Sequence, residues 1–301
     1  MDRREMIRLA LLAGGSTLLP SWGRAASSAL FTPVPHLAAI RGGEPEAMFD
    51  RAIAALGGMS AFVKKGQTVV VKPNIGWDAA PERAANTHPG LVGRIVKHCL
   101  DAGAREVYVF DNTCDKWDLC YANSGIEKAA KDAGAKMVPG HLEGYYQQVT
   151  IPGGVKLKET QVHELILESD VFINVPVLKH HSSADLSIAM KNLMGIVWDR
   201  RYWHRNDLHQ CIADFPLWRK PDLNVIDAYR VMMKNGPRGV SVADTKIYKM
   251  QIVSPDLVAA DAAAAKVFGS DPTGVGHIRK AADMGIGAID LDKLDIRRIT
   301  I

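Results

Sequence analysis

The chain is poor in the features that announce most enzyme classes. Its 301 residues hold only four cysteines, too few for a disulfide-dense scaffold, and a domain of this length needs no such staples. No run of roughly 18 apolar residues occurs, so no stable membrane span is expected. Excess charge is small: 37 Lys and Arg against 33 Asp and Glu leave a net +4, which gives no reason to expect nucleic acid or an anionic membrane as partner. The chain has no phosphate-binding G-x-x-x-x-G-K loop, G-x-G-x-x-G after a strand, G-x-S-x-G elbow or H-E-x-x-H helix. Those absences argue against a nucleotide-driven enzyme, an elbow-type serine hydrolase and a zincin protease. What is present is an ordinary globular composition, 47% apolar and 23% charged,.

Residues 1–29, MDRREMIRLALLAGGSTLLPSWGRAASSA, read as an address. A basic start, a weakly apolar stretch from Leu9 to Trp22 broken by Pro20, and small residues at the end form an export-signal layout. Arg3 and Arg4, followed by Met6, Ile7 and Arg8, resemble the twin-arginine pattern. Gly14, Gly15, Ser16 and Thr17 make the apolar stretch too weak for a general secretory signal, which favours the twin-arginine route and its export machinery. Cleavage after Ala25 or Ala29 is open. The expected organisation is a signal over 1–29 and a single α/β domain over 30–301, located in the periplasm. Arg3, Arg4, Arg8 and Arg24 against Asp2 and Glu5 account for half of the +4 excess. Because that route carries folded proteins, a metal or iron–sulfur cofactor becomes worth seeking.

Beyond the signal, short β-branched runs alternate with helical patterns. QTVVVKP (67–73), EVYVFD (106–111), VFINVPV (171–177), LNVIDA (223–228) and IYKMQIV (247–253) read as buried strands of a parallel sheet. Helices are expected over 89–102, with Pro89 in the first turn and Gly103 at the end, over 125–133, and over the Ala-rich 256–268. The order βαβα predicts one α/β domain, a mostly parallel sheet with helices on both faces. Ligands of such sheets bind beyond the carboxyl ends of the strands.

The chemistry-bearing residues fall at those ends. Lys72 and Asn74 leave the first strong strand, suited to holding a carboxylate or phosphate. Thr87 and His88 stand before a helix N-terminus, Thr87 as its N-cap, where an anion is favoured. Asp111 and Asp227 end strands and are acid/base candidates. Lys179 and the neighbours His180 and His181 follow the third strand; in extended chain the two imidazoles face opposite ways, leaving one for a proton or metal. Lys191 and Asn192 lie in a helix-like run closed by Gly195. Arg201 sits in an aromatic-rich segment suited to clamping a carboxylate, and Gly236 permits close backbone approach to a ligand. Cys114 and Cys120 are either a disulfide or, with Cys211 and a histidine such as His209, ligands of a metal centre. His209 and Cys211, two apart, suit an extended or loop ligand pair.

In this order VVVKPNIG, NTHPGLV, VYVFDN, FINVPVLKHH, MKNLMG, NVIDA…NGPRG and DLVAADAAAAKVFGSDPTGVGHIRKAADMGIG resemble the domain-of-unknown-function 362 family over roughly residues 36–300. The signal, the Cys114/Cys120 loop and LHQCIADF look like its twin-arginine-exported branch, without the ferredoxin module many relatives carry. The resemblance implies an α/β fold and an association with iron–sulfur or metal chemistry, but no settled reaction. The strand–Lys/Asn–helix beginnings are also similar in architecture to the nickel-pincer lactate racemase family. The leading expectation is an exported, metal- or iron–sulfur-dependent enzyme, of redox or proton-transfer chemistry, acting on a small anionic substrate. The alternative is a periplasmic anion- or metal-binding carrier without catalysis.

Overall fold

Alternating β-branched and amphipathic segments form twelve strands and ten α-helices among the described residues. The computed structural model describes residues 35–301, so the export-signal reading of 1–29 lies outside the described residues. The strands are β1 (Leu37–Arg41), β2 (Thr68–Pro73), β3 (Glu106–Val109), β4 (Lys136–Met137), β5 (Tyr146–Thr150), β6 (Glu159–His163), β7 (Val171–Val175), β8 (Val177–His181), β9 (Asp185–Ser187), β10 (Leu223–Met232), β11 (Thr245–Ser254) and β12 (Ile296–Thr300). The helices are α1 (Pro45–Ala55), α2 (Pro89–Asp101), α3 (Trp117–Asn123), α4 (Ile126–Asp132), α5 (Glu164–Glu168), α6 (Ala189–Asn192), α7 (Arg200–Arg205), α8 (Leu208–Asp214), α9 (Leu257–Phe268) and α10 (Gly276–Asp283).

The main sheet runs β12-β1-β11-β10-β7-β2-β3-β4. From β10 to β4 every pairing is parallel, as the uniformly apolar runs predict. The 247–253 segment departs from that expectation: β11 is antiparallel to both β1 and β10. Its polar first half (Thr245–Met250) is exposed or half-buried and only its last four residues are buried, a pattern that suits an antiparallel strand. Alternation along the strands separates two cores. Val69 and Val71 of β2 pack with α1, α2 and α4 on one face; Val70, Phe172 and Ile226 pack with α9 on the other.

Pro176 ends β7, and the chain resumes at once as β8, which pairs with the far half of β10. This jog carries Lys179 and His181 past the carboxyl edge of β7. Lys72, Asn174, Asn224 and Ser254 stand side by side across β2, β7, β10 and β11. Their side chains continue the register as a buried chain of amides. Asn192 Nδ2 donates to Asn174 Oδ1 at 2.8 Å, Asn174 Nδ2 to Asn224 Oδ1 at 3.1 Å, and Asn224 Nδ2 to the Ser254 carbonyl at 3.3 Å. Fully partnered buried networks of this kind fix one arrangement of the strands against the layer above them.

Candidate functional site

A cavity of about 320 Å³ opens at the carboxyl ends of the parallel strands. Its floor is an ion pair, with Lys72 Nζ 3.0 Å from Asp111 Oδ1 and both side chains almost wholly buried. Lys72 also donates to the Asn192 carbonyl and to Asn192 Oδ1, each at 2.7 Å. Asp111 Oδ2 accepts the Ile75 N–H at 2.6 Å. Burial pushes the Lys72 ammonium down and the Asp111 carboxyl up, while their mutual attraction opposes both changes,. Gly195 closes over the pair, and a methyl group there would collide with Asp111 Oδ1 and Lys72 Nζ.

Two further lysines face the same space. Lys179 donates to Asn74 Oδ1 at 2.8 Å and to the Ala85 carbonyl at 2.5 Å. Burial is the main cause that lowers its ammonium to about 7. Lys191 has no hydrogen-bond acceptor among the described residues. Burial first, then repulsion from Arg200 and Lys72, lowers it to about 8, against the pull of Cys114 and Asp111. Asp261 of α9 holds the turn that carries Lys191, accepting the Ala189 and Met190 N–H groups at 2.6 and 3.1 Å. An aspartate inside the apolar run LVAADAAAA is the sequence signal for this support. Reasoning from strand ends passes over it, because Asp261 lies in the middle of a helix.

Arg200 completes the positive wall. Its guanidinium donates to the Asn112 and Thr113 carbonyls at 2.8 and 2.7 Å and reaches Cys114 Sγ at 3.4 Å. The Asp199 side chain caps α7 by accepting the Arg201 and Tyr202 N–H groups, which sets the helical phase. That phase turns Arg200 to the cavity and leaves Arg201 exposed, so Arg200 replaces Arg201 as the clamp candidate. His181 lines the cavity too. Its Nδ1 accepts the Ser183 and Ala184 N–H groups at 3.1 and 3.2 Å, so the neutral ring carries its proton on Nε2. Burial and the neighbouring lysines push this imidazole down to about 2, so it stays neutral at ordinary pH.

Of the residues singled out by sequence, Lys72, Asn74, Asp111, Cys114, Lys179, His181, Lys191 and Asn192 come together around the cavity. The remainder lie outside its wall, each with another task. Thr87 is not the N-cap, which is His88. The Thr87 hydroxyl instead donates to the Val175 carbonyl at 2.7 Å and accepts the Asn74 N–H at 2.8 Å, tying β2 to β7. Asp227 accepts the His88 and Tyr229 N–H groups at 2.8 and 3.0 Å, so it joins α2 to β10 outside the wall of this cavity. His180 turns away from His181 and accepts the Gly236 N–H at 3.1 Å. Gly236 is required by packing, since a Cβ there would meet the His180 carbonyl.

The thiols do not converge. All four cysteines are unbonded, Cys114 exposed and the others buried. Cys120 lies on α3 in one core and Cys211 on α8 in the other, on opposite faces of the sheet. Burial pushes both thiols up to about 12. The Cys211 thiol donates to the Asn206 carbonyl at 3.2 Å. His209 and Cys211 share a helix and are not an extended pair; His209 Nδ1 accepts the His277 N–H at 3.1 Å. Among the described residues no cluster of three or more His, Cys, Asp or Glu is arranged to hold a metal ion. The Cys114/Cys120/Cys211/His209 set therefore does not fit an iron–sulfur cluster or another metal centre.

A doubly wound α/β protein with a lysine- and arginine-lined cavity beyond its strand ends is the class that this fold and site define. The chain belongs to the domain of unknown function DUF362 family, whose model matches residues 69–266. It is 23% identical over 239 residues to the thylakoid-associated protein sll1697 of Synechocystis sp., covering 77% of this chain and 72% of that protein. Among solved structures it is similar to a protein from Thermotoga maritima, with 13% identity, a TM-score of 0.50, and coverage of 75% of this chain and 60% of that one. It also matches the lactate racemase apoprotein of Thermoanaerobacterium thermosaccharolyticum, with 14% identity, a TM-score of 0.48, and coverage of 76% and 56%. The chain thus spans less than two thirds of either structure, and the Thermotoga likeness is one of fold.

Proposed function

We propose that the protein is an enzyme that binds a small organic anion in the cavity and moves a proton on it. One observation carries this reading: Lys72, Lys179, Lys191 and Arg200 line one cavity in which Asp111 is the only carboxylate among the described residues. Asp111 is already committed to Lys72, so the remaining positive charge is available to a ligand. Arg200, held by the Asn112 and Thr113 carbonyls, and Lys179, held by Asn74 and the Ala85 carbonyl, supply fixed positive charge that favours a carboxylate or phosphate. Lysines near 7 and 8 exchange a proton close to neutral pH, where general acid–base catalysis is most effective. His181 adds a neutral N–H donor able to polarise a carbonyl oxygen, a role that a protonated ring would perform at the cost of an extra charge.

Calorimetric titration with lactate, oxalate and inorganic phosphate tests the binding half of this reading. At least one should bind, and Arg200→Ala should weaken it roughly 30-fold or more, the scale for losing one partner of a buried charged pair. A folded protein that binds none of the three overturns the reading. We also propose that the protein is exported folded to the periplasm, on the strength of the Arg3-Arg4 pattern and the weak apolar stretch after it. Fractionation of cells making the full chain should find it in the periplasm, and Arg3→Lys with Arg4→Lys should hold it in the cytoplasm. Equal distribution of the two forms would remove the twin-arginine assignment.

A further inference from the structure

The three cavity lysines differ in what holds them, and that difference sorts their tasks. Lys72 is bound by two oxygens of Asn192 and stands beside Asp111. Lys179 is bound by Asn74 and the Ala85 carbonyl. Both amines spend their hydrogens on protein acceptors, as a lysine does when its task is to supply charge or a hydrogen bond from a fixed place. Lys191 lines the same cavity, with no acceptor among the described residues to orient its amine. Its support lies below it: Asp261 anchors the backbone of its turn, and the next residue, Asn192, is locked to Lys72 and Asn174. The amine is thus mounted on a rigid base and left free at its tip.

Resting on the anion-binding reading above, we infer that Lys191 is a nucleophile that forms a Schiff base with the carbonyl carbon of a small 2-oxo acid. The substrate class follows from the neighbours. Arg200 and Lys179 supply positive charge for the carboxylate, and His181, its Nδ1 already occupied by two backbone N–H groups, keeps an Nε2 proton for the carbonyl oxygen. Desolvation and adjacent cations are the standard means of activating such a lysine. They raise the unprotonated share of Lys191 near neutral pH well above that of an ordinary lysine. In the reaction the amine lone pair attacks the carbonyl carbon, and a proton passes from nitrogen to oxygen to give a carbinolamine. Loss of one water then forms the C=N bond. Amine and carbonyl become imine and water, with no net electron transfer, so no oxidant or reductant is needed. The imine, once protonated, withdraws electrons from the adjacent carbon and so makes the hydrogens on that carbon more acidic.

The test is trapping with sodium cyanoborohydride in the presence of pyruvate or glyoxylate, followed by intact-mass and peptide analysis of the folded protein. The expected product is a single adduct on Lys191. Its mass increase from pyruvate is that of pyruvic acid less one oxygen atom. Lys191→Arg should lose the adduct while keeping the parent melting temperature, so that the loss is not one of folding. If lactate or oxalate binds and no adduct forms, the anion reading stands and the Schiff base is overturned. An adduct that persists in Lys191→Arg, or that maps to Lys72, Lys179 or scattered surface lysines, overturns it as well. If no anion binds to the parent protein, the underlying reading fails first.

Discussion

Replacing Gly195 with alanine is expected to lower stability by about 1–3 kcal/mol or more, the cost typical of forcing extra volume into a filled core. The sign is informative, because glycine to alanine usually gains roughly 0.4–1 kcal/mol where the backbone is compatible, by restricting the unfolded chain. Gly195 is not among the glycines with left-handed backbone, so the backbone itself raises no objection. The objection is the space: the new methyl group would overlap Asp111 Oδ1 and Lys72 Nζ and lie 2.7 Å from Lys72 Cε. Lys72 has no room to retreat, because two oxygens of Asn192 hold its amine at 2.7 Å, and Asn192 is fastened to Asn174. Asp111 is held from behind by the Ile75 N–H. In urea denaturation the midpoint should fall with unchanged slope, and anion binding should be lost with it. A Gly195→Ala protein as stable as its parent refutes this packing.

The second large effect is expected from Asp111→Ala, which leaves the Lys72 ammonium buried without a counter-charge. Truncating one partner of such a pair costs about 3–5 kcal/mol. The loss should depend on pH with a definite sign. Burial already lowers Lys72 from its usual 10.5, and removing the carboxylate removes the chief influence that opposes this. The folded variant then binds fewer protons than the unfolded chain at any pH between the depressed value and about 10.5, so its stability rises with pH across that window. Urea melts at neutral and alkaline pH should show the gap between variant and parent closing as the solution becomes alkaline. A gap that widens instead would mean that the Asp111 carboxylate contributes through something other than the Lys72 charge. Asp111→Asn keeps an acceptor for Ile75 and should lose less than the alanine variant at every pH.

Much of the site is legible in the chain, because strand-end chemistry is local. VVVKP and FINVP announce strands by their unbroken β-branched runs, and their last polar residues, Lys72 and Asn174, necessarily emerge where parallel sheets bind ligands. The alternation of side chains along an extended segment likewise separates His180 from His181 on sequence grounds alone. The choice between Arg200 and Arg201 is not legible. It depends on where α7 starts, and the Asp199 cap moves that start by one residue, which rotates a helix by about 100°. Nor is the fate of the cysteines. Cys114, Cys120 and Cys211 form a plausible set on paper, but sequence spacing does not reveal that the sheet stands between α3 and α8. Asp227 and Thr87 look chemical because polar residues at strand ends usually are. Their partners are backbone groups of α2, β7 and β10, which only the folded chain brings within reach.

The sequence alone thus determined the α/β layering, because periodicity and strand-end composition are set within short stretches of chain, and the order of its motifs carried the family resemblance. It also determined that lysine, asparagine and histidine gather at the ligand-binding edge, because each sits a residue or two beyond its own strand. The tertiary structure decided which of those residues share one cavity, and it set each lysine's acceptors and exposure. Burial, hydrogen-bond completion and the field of neighbouring charges depend on contacts between segments as far apart as 120 positions, such as Lys72 and Asn192. Those contacts exist only once the strands are in register, and they distinguish the lysines held by protein acceptors from the one that has none among the described residues.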